Sequence, residues 1–180
     1  FLSFRGHIWS DTDAARCGIL PFLFRDDACF ADYVNWALDV PLYFILRNGT
    51  YSTAVTGMPF RVFLNGGLPG DRPTLDDWEL HLTTLFPEVR LKRFIEIRSA
   101  DSQAPELLLA LSALVKGIFY SPGALDAAFD LARRWTPEAV TALYRDVVRE
   151  SLDARTRGIR VLEFAREVGA IATEGLRQQA

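Results

Sequence analysis

Arg93-Phe94-Ile95-Glu96-Ile97-Arg98-Ser99-Ala100-Asp101 reads as a short strand carrying an acid and a base inside an apolar run. Side chains alternate faces along a strand, so Phe94, Glu96 and Arg98 share one face while Ile95 and Ile97 share the other. Charges in such a place are costly to bury unless they are paired or bind something charged. A carboxylate beside a guanidinium can serve a metal ion and a phosphate together.

Moving outward, Arg90, Lys92, Arg93 and Arg98 place cations within nine residues of one another. This is either a phosphate-neutralising cluster or a solvated loop before a strand. The second reading is expected for Arg90 and Lys92. Arg98 differs, because it sits inside the strand next to Glu96.

Strand signals fall at 2–9, 41–47 and 93–98, with aromatic, Gly and Pro residues frequent to about residue 100. On the first strand, Ser3, Arg5, His7 and Trp9 share a face. Arg5 beside Trp9 suits an anionic ligand with an apolar part; a solvent-facing strand surface is the plain alternative. Ala31 to Asp39 is a short helix candidate, and Asn48-Gly49 is a hairpin turn signal. Thr74 with Asp76 and Asp77 opens a capped helix.

From Pro105 onward the pattern is helical. Leu107, Leu108, Leu111, Leu114, Val115 and Ile118 recur at three- and four-residue spacing. Ser121-Pro122 and Thr136-Pro137-Glu138 open further helices. Gly158 precedes a last helix over roughly 159–176, with an apolar stripe of Ile159, Leu162, Phe164, Ala165, Val168 and Ile171. The expected class is α+β, with a catalytic-sheet portion at 1–104 and a helical packing region at 105–180 of the same domain.

The 180 residues suffice for one domain with a real core, and 49% hydrophobic with 24% charged residues is a globular balance. A net charge of −3 gives no general basic footprint for nucleic acid. The longest largely apolar run, Leu107 to Val115, is too short to span a bilayer, so no membrane is expected. Cys17 and Cys29 lack metal-site spacing, and sparse cysteine suggests the cytoplasm. Phe1 is not methionine, and the strand pattern starts without a lead-in, so a piece of a longer chain is expected. His7 and His81 have no nearby third ligand or nucleophile in sequence and are expected to be structural. Gly66-Gly67-Leu68-Pro69-Gly70 lacks the Lys-Ser/Thr ending of a Walker A loop. Trp78 and Trp135 are expected to be packing residues.

Several long motifs occur in collinear order: Ile8-Trp9-Ser10-Asp11-Thr12-Asp13 followed by Arg16 and Gly18; Tyr33 through Phe44; Thr56-Gly57-Met58-Pro59-Phe60-Arg61; and His81 through Arg98. Over residues 1 to roughly 150 the chain resembles the glutamate–cysteine ligase family of plant and proteobacterial type, in the glutamine-synthetase-like superfamily. The resemblance implies a curved antiparallel sheet lining a funnel, with helices outside. It implies ATP and Mg²⁺ as cofactors, and glutamate, cysteine and ATP as the small-molecule partners. The γ-carboxylate of glutamate is phosphorylated, and the amine of cysteine attacks the γ-glutamyl phosphate, the first step of glutathione synthesis.

By the same resemblance, Glu96 is the strand carboxylate that binds Mg²⁺, and Arg98 steadies the transferring phosphate. Arg5 holds a substrate carboxylate or phosphate. Tyr33 and Trp36 line the amino-acid pocket. Family members are much longer, and their N-terminal part carries further metal carboxylates, so these residues alone are expected to be inactive. That missing part, or a homodimer, is the expected macromolecular partner. The regulatory cysteines of plant members correspond to Val55 and Gly70 here, which implies that their redox switch is absent. Pro59 stands where the family usually has Thr. Two alternatives stand beside the ligase: a γ-glutamyl ligase with another amine acceptor, and a non-catalytic fragment that packs or dimerises.

Overall fold

The computed structural model describes residues 2–179. The chain divides into two compact units: residues up to Ser10 with those from Asp101 onward, and Asp11–Ala100. Residues 2–10 therefore group with the helices of the C-terminal half.

Helix α1 (Phe4–Trp9) stands where a strand over 2–9 is expected. Its start explains the difference. Ser3 Oγ accepts the Gly6 N–H at 3.0 Å and donates to Asp101 Oδ2 at 2.6 Å, and Asp101 Oδ1 accepts the Arg5 N–H at 3.0 Å. The helix start thus finds partners for N–H groups it would leave orphaned. One of those partners lies far along the chain, beyond the reach of local periodicity. Arg5 and Trp9 still meet, because i and i+4 are helix neighbours, and the guanidinium carbon lies 5.3 Å from the ring centroid.

The Asp11–Ala100 unit contains β1 (Cys17–Gly18), α2 (Phe30–Asp39), β2 (Ile45–Arg47), β3 (Thr50–Ser52), α3 (Phe60–Leu64), α4 (Leu75–Thr83), β4 (Phe86–Pro87), β5 (Val89–Leu91) and β6 (Ile95–Ile97). β1 pairs β4 in parallel; β2–β3 and β5–β6 are antiparallel. The turn at Asn48 and Gly49 has φ of 51° and 77°, the left-handed pair that a tight hairpin requires. Helix α4 begins with the expected cap: Thr74 Oγ1 accepts the Asp77 N–H, and the Asp77 carboxylate accepts the Thr74 N–H. Leu42, Ile45, Val55, Phe60 and Phe63 form the main core, with Trp78 against it. Ala37, Val40 and Leu85 form a second cluster, with Trp36 and Leu82 packed on it.

In the other unit, α5 (Leu108–Phe119), α6 (Pro122–Ala132) and α7 (Pro137–Glu150) follow, then a hairpin of β7 (Arg155–Thr156) and β8 (Ile159–Arg160), then α8 (Val161–Arg177). Ser121 and Thr136 cap α6 and α7 as expected. The turn at Arg157 and Gly158 puts Ile159 on β8 and delays the last helix to residue 161. α5 and α8 meet through small residues: a Cβ on Gly117 would lie 2.2 Å from Ala172 O, and one on Gly175 would lie 1.9 Å from Gly117 O. Leu107, Leu108 and Leu111 of the expected apolar stripe remain exposed.

The described residues are thus mixed α/β, compatible with α+β. They hold four two-stranded sheets rather than one curved antiparallel sheet, because each strand is only two or three residues long and pairs with a single neighbour. Among them, no single helix is long and apolar enough to cross a membrane.

Candidate functional site

The β5–β6 hairpin pairs Val89 with Ile97, Arg90 with Glu96 and Leu91 with Ile95. An apolar–charged–apolar triplet thus faces its electrostatic complement across the hairpin. Alternation puts the charged centres on one face and the apolar flanks on the other.

Glu96 is the hub of the charged face. Arg90 Nε donates to Glu96 Oε2 at 2.6 Å, and Arg90 Nη2 lies 2.6 Å from the same oxygen. Arg98 Nη1 donates to Oε1 at 3.0 Å, and Lys92 Nζ stands 3.7 Å from Oε2. The Arg90 hydrogen bond, foremost among these charges, holds the Glu96 carboxyl below the usual carboxylate range. Arg98 and Glu96 share a face, as alternation requires.

Arg90 is no solvated loop residue. It is 7% exposed, and its Nη1 donates to the carbonyls of Thr83 at 3.2 Å, at the end of α4, and Leu85 at 3.1 Å, just beyond it. A buried guanidinium needs several acceptors, and the α4 end and Glu96 supply them. Its signal was visible in sequence: Val89-Arg90-Leu91 mirrors Ile95-Glu96-Ile97 with the opposite central charge. Lys92 is partly exposed and looser.

The other face lines an apolar cavity of about 410 Å³ with Leu23, Cys29, Phe30, Tyr33, Leu91 and Ile95 around it. Tyr33 comes from α2. Its Oη accepts the Leu91 N–H at 3.2 Å, which ties α2 to β5. Burial pushes the Tyr33 phenol up. Trp36 meets the Tyr33 ring edge-on at 5.2 Å between centroids but packs toward Ala37, Val40 and Leu85 rather than lining this cavity. Arg5 lies on α1 in the other unit.

His81 is structural, as expected. It is buried against Phe60 and Trp78, and Nε2 lies 2.8 Å from the Ala37 carbonyl. A carbonyl only accepts, so Nε2 carries the proton and Nδ1 is bare. Nδ1 has no hydrogen-bond partner among the described residues. Burial holds the imidazole below its ordinary pKa, so it is neutral near pH 7. Arg16, quoted in a motif but given no role, is 1% exposed and bonds to Asp13, Thr84 and the Pro41 carbonyl.

As a metal ligand, Glu96 stands alone: no group of three or more His, Cys, Asp or Glu side chains is placed to hold an ion among the described residues. A carboxylate offers about four acceptor positions. Three guanidinium contacts leave room for one cation on Oε1. Magnesium is commonly held by one or two carboxylates plus substrate phosphates, so Glu96 fits as one ligand of a site completed by others.

Residues 1–177 match the family described as glutamate-cysteine ligase family 2 (GCS2), and the chain belongs to that family. It is 46% identical over 182 residues to the chloroplastic glutamate–cysteine ligase of Solanum lycopersicum, covering 99% of this chain and 35% of that protein. It is 45% identical to the chloroplastic enzyme of Arabidopsis thaliana, covering 35% of it, and 45% identical to the chloroplastic glutamate–cysteine ligase A of Oryza sativa subsp. indica, covering 37%. The chain therefore spans about a third of the length of the relatives it matches. These relatives are chloroplastic, which overturns the cytoplasmic expectation. Sparse cysteine speaks to redox state and does not separate one reducing compartment from another.

Proposed function

We propose that this chain is one part of an ATP- and Mg²⁺-dependent glutamate–cysteine ligase. The observation that carries the proposal is the charged face of β5–β6, where Arg90, Arg98 and Lys92 surround the single carboxylate of Glu96. Cations gathered on one face of a hairpin suit a ligand that brings phosphate. Family membership supplies the chemical class.

In this reading, the γ-carboxylate of glutamate attacks the γ-phosphorus of ATP, and ADP leaves. The cysteine amine then attacks the acyl phosphate, phosphate leaves with the C–O electron pair, and the amine gives up a proton as the amide forms. Bound magnesium would neutralise phosphate charge. Glu96 would supply one oxygen to it, and Arg98 meets charge that develops on the transferring group. Tyr33 lines the amino-acid pocket, with Trp36 packed edge-on against its ring. The remaining ligands and strands come from the rest of the chain or from a second copy, and β5–β6 becomes part of a curved antiparallel sheet of the glutamine-synthetase-like type.

The test uses the full-length parent protein, with ADP release measured with and without each amino acid. Release that requires both glutamate and cysteine, and falls steeply in Glu96→Gln, is expected. Near-normal turnover and unaltered Mg²⁺ dependence in Glu96→Gln would sink the metal assignment. Equal turnover with other amines would sink cysteine as the acceptor.

A further inference from the structure

Arg90 does more than neutralise Glu96. Its guanidinium is gripped from two sides at once. Nη1 is fixed on the backbone carbonyls of Thr83, the last residue of α4, and Leu85, in the segment joining α4 to β4, and neither can rotate away as a side chain would. Nε and Nη2 both reach Glu96 Oε2. Arg90 also lies opposite Glu96 in the hairpin register, so its reach spans a single strand gap. Its burial, at 7% exposure, removes the freedom that a surface arginine would have. Glu96 is thus anchored through one oxygen to a buried backbone platform, and its other oxygen faces Arg98.

We infer that Arg90 is a positioning residue, which holds Oε2 of Glu96 so that Oε1 stays available between Arg98 and an incoming Mg²⁺-nucleotide. The inference rests on the reading of Glu96 and Arg98 given above. Without the anchor, the cations neighbouring Glu96 among the described residues are Arg98 and Lys92. It would turn both oxygens toward Arg98, and this one movement would withdraw the carboxylate from the cation and neutralise the guanidinium meant for phosphate. Residues that orient a metal-binding side chain in this way typically matter by about 10–100-fold in affinity or activity.

The test is Mg²⁺-ATP binding to the full-length parent by isothermal titration, with thermal unfolding and the KM for glutamate recorded beside it. Three single variants, Arg90→Met, Arg90→Lys and Glu96→Gln, are compared with the Arg90→Met/Glu96→Gln pair. Arg90→Met is expected to weaken Mg²⁺-ATP binding by about 10–100-fold. The KM for glutamate is expected to hold. Arg90→Lys, which keeps the charge and loses the two-point grip, should fall between Arg90→Met and the unsubstituted protein. In the Glu96→Gln background, Arg90→Met should add no further loss, because the carboxylate it positions is gone.

If Arg90→Met lowers only the melting temperature, with Mg²⁺-ATP affinity intact, Arg90 is structural and the inference is overturned. Fully additive losses in the double variant overturn it as well. If Arg90→Met does not fold, Arg90→Lys decides: affinity equal to the unsubstituted protein overturns the positioning role. Failure of the underlying reading is seen separately, as unaltered Mg²⁺-ATP binding in Glu96→Gln alone.

Discussion

Two arginine–carboxylate clusters in the Asp11–Ala100 unit have opposite charge balance. In one, a single cation, Arg47, lies between Asp71 and Asp77, with contacts of 2.6–3.1 Å to both carboxylates. In the other, three cations surround the single carboxylate of Glu96. The Arg47 cluster is closed. Its guanidinium also donates to the carbonyls of Leu46 and Arg72, and Asp77 is spent on the Thr74 cap of α4. The Glu96 cluster sets three cations around one carboxylate. The same ion-pair chemistry therefore serves as a rivet where one cation is shared by two carboxylates and, in the proposed reading, as an anion-facing surface where three cations share one.

Arg47→Met tests the rivet and should have the largest effect. Asp77 is 2% exposed and would keep its charge without its guanidinium partner. Breaking a fully buried pair costs roughly 3–5 kcal/mol; because the Arg47 side chain is 30% exposed, about 2–3 kcal/mol is expected here. Thermal unfolding of the full-length protein checks it, and Mg²⁺-ATP affinity of the folded fraction should not change. Arg98→Lys is the counterpart on the hairpin. It keeps the charge and loses the planar fork, so turnover should drop roughly tenfold, about 1.4 kcal/mol, with little change in melting temperature. If each variant moved both readouts equally, the distinction between rivet and anion-facing surface would collapse.

The two clusters also separate from His81 by pH. Burial pushes Asp77 up, but hydrogen bonds from Arg47 and Thr74 more than offset this, and its carboxyl lies below the usual range. Its stabilisation is present above the unfolded value of about 3.9 and is lost as pH falls through the lower folded value. Glu96 behaves in the same direction, with Arg90 as the leading cause. His81 acts in a higher window. Its folded pKa is depressed by burial, so below the unfolded value of about 6.5 the unfolded chain binds a proton that the folded chain does not. Stability should therefore decline as pH drops below about 6.5. Urea unfolding at several pH values shows this slope, and His81→Gln should flatten it. A slope that survives in His81→Gln belongs to other groups.

Local chemistry made part of this legible in sequence. The caps at Thr74, Ser121 and Thr136 and the Asn48-Gly49 turn are settled by neighbours within three residues, and each is found where its pattern puts it. The shared face of Glu96 and Arg98 follows from alternation alone. What escaped depends on distant partners. Helix α1 relies on Asp101, 98 residues beyond Ser3. Taken alone Arg90 reads as a solvated cation, because the Thr83 and Leu85 carbonyls it meets carry no sequence signal; only its complement Glu96 does. The apolar stripes of α5 and α8 drew attention to large residues, while the contact is made by Gly117, Ala172 and Gly175, whose small size is what allows two helices to approach.

Lys92 sharpens the comparison at its low end. It is the third cation near Glu96, at 3.7 Å, with a side chain 37% exposed, and it also lies 5.8 Å from the Phe94 ring. A partly exposed pair at that distance contributes within about 0.5 kcal/mol, because water screens it and the long side chain must be ordered to make it. Lys92→Ala should therefore leave the melting temperature nearly unchanged. Any loss of Mg²⁺-ATP affinity should be small and fade at high salt, as a long-range attraction does. Arg90 has its buried carbonyl anchors and should show no such salt dependence. A Lys92→Ala effect as large as that of Arg90→Met would mean that total positive charge, rather than the fixed geometry of one buried guanidinium, governs this face of the hairpin.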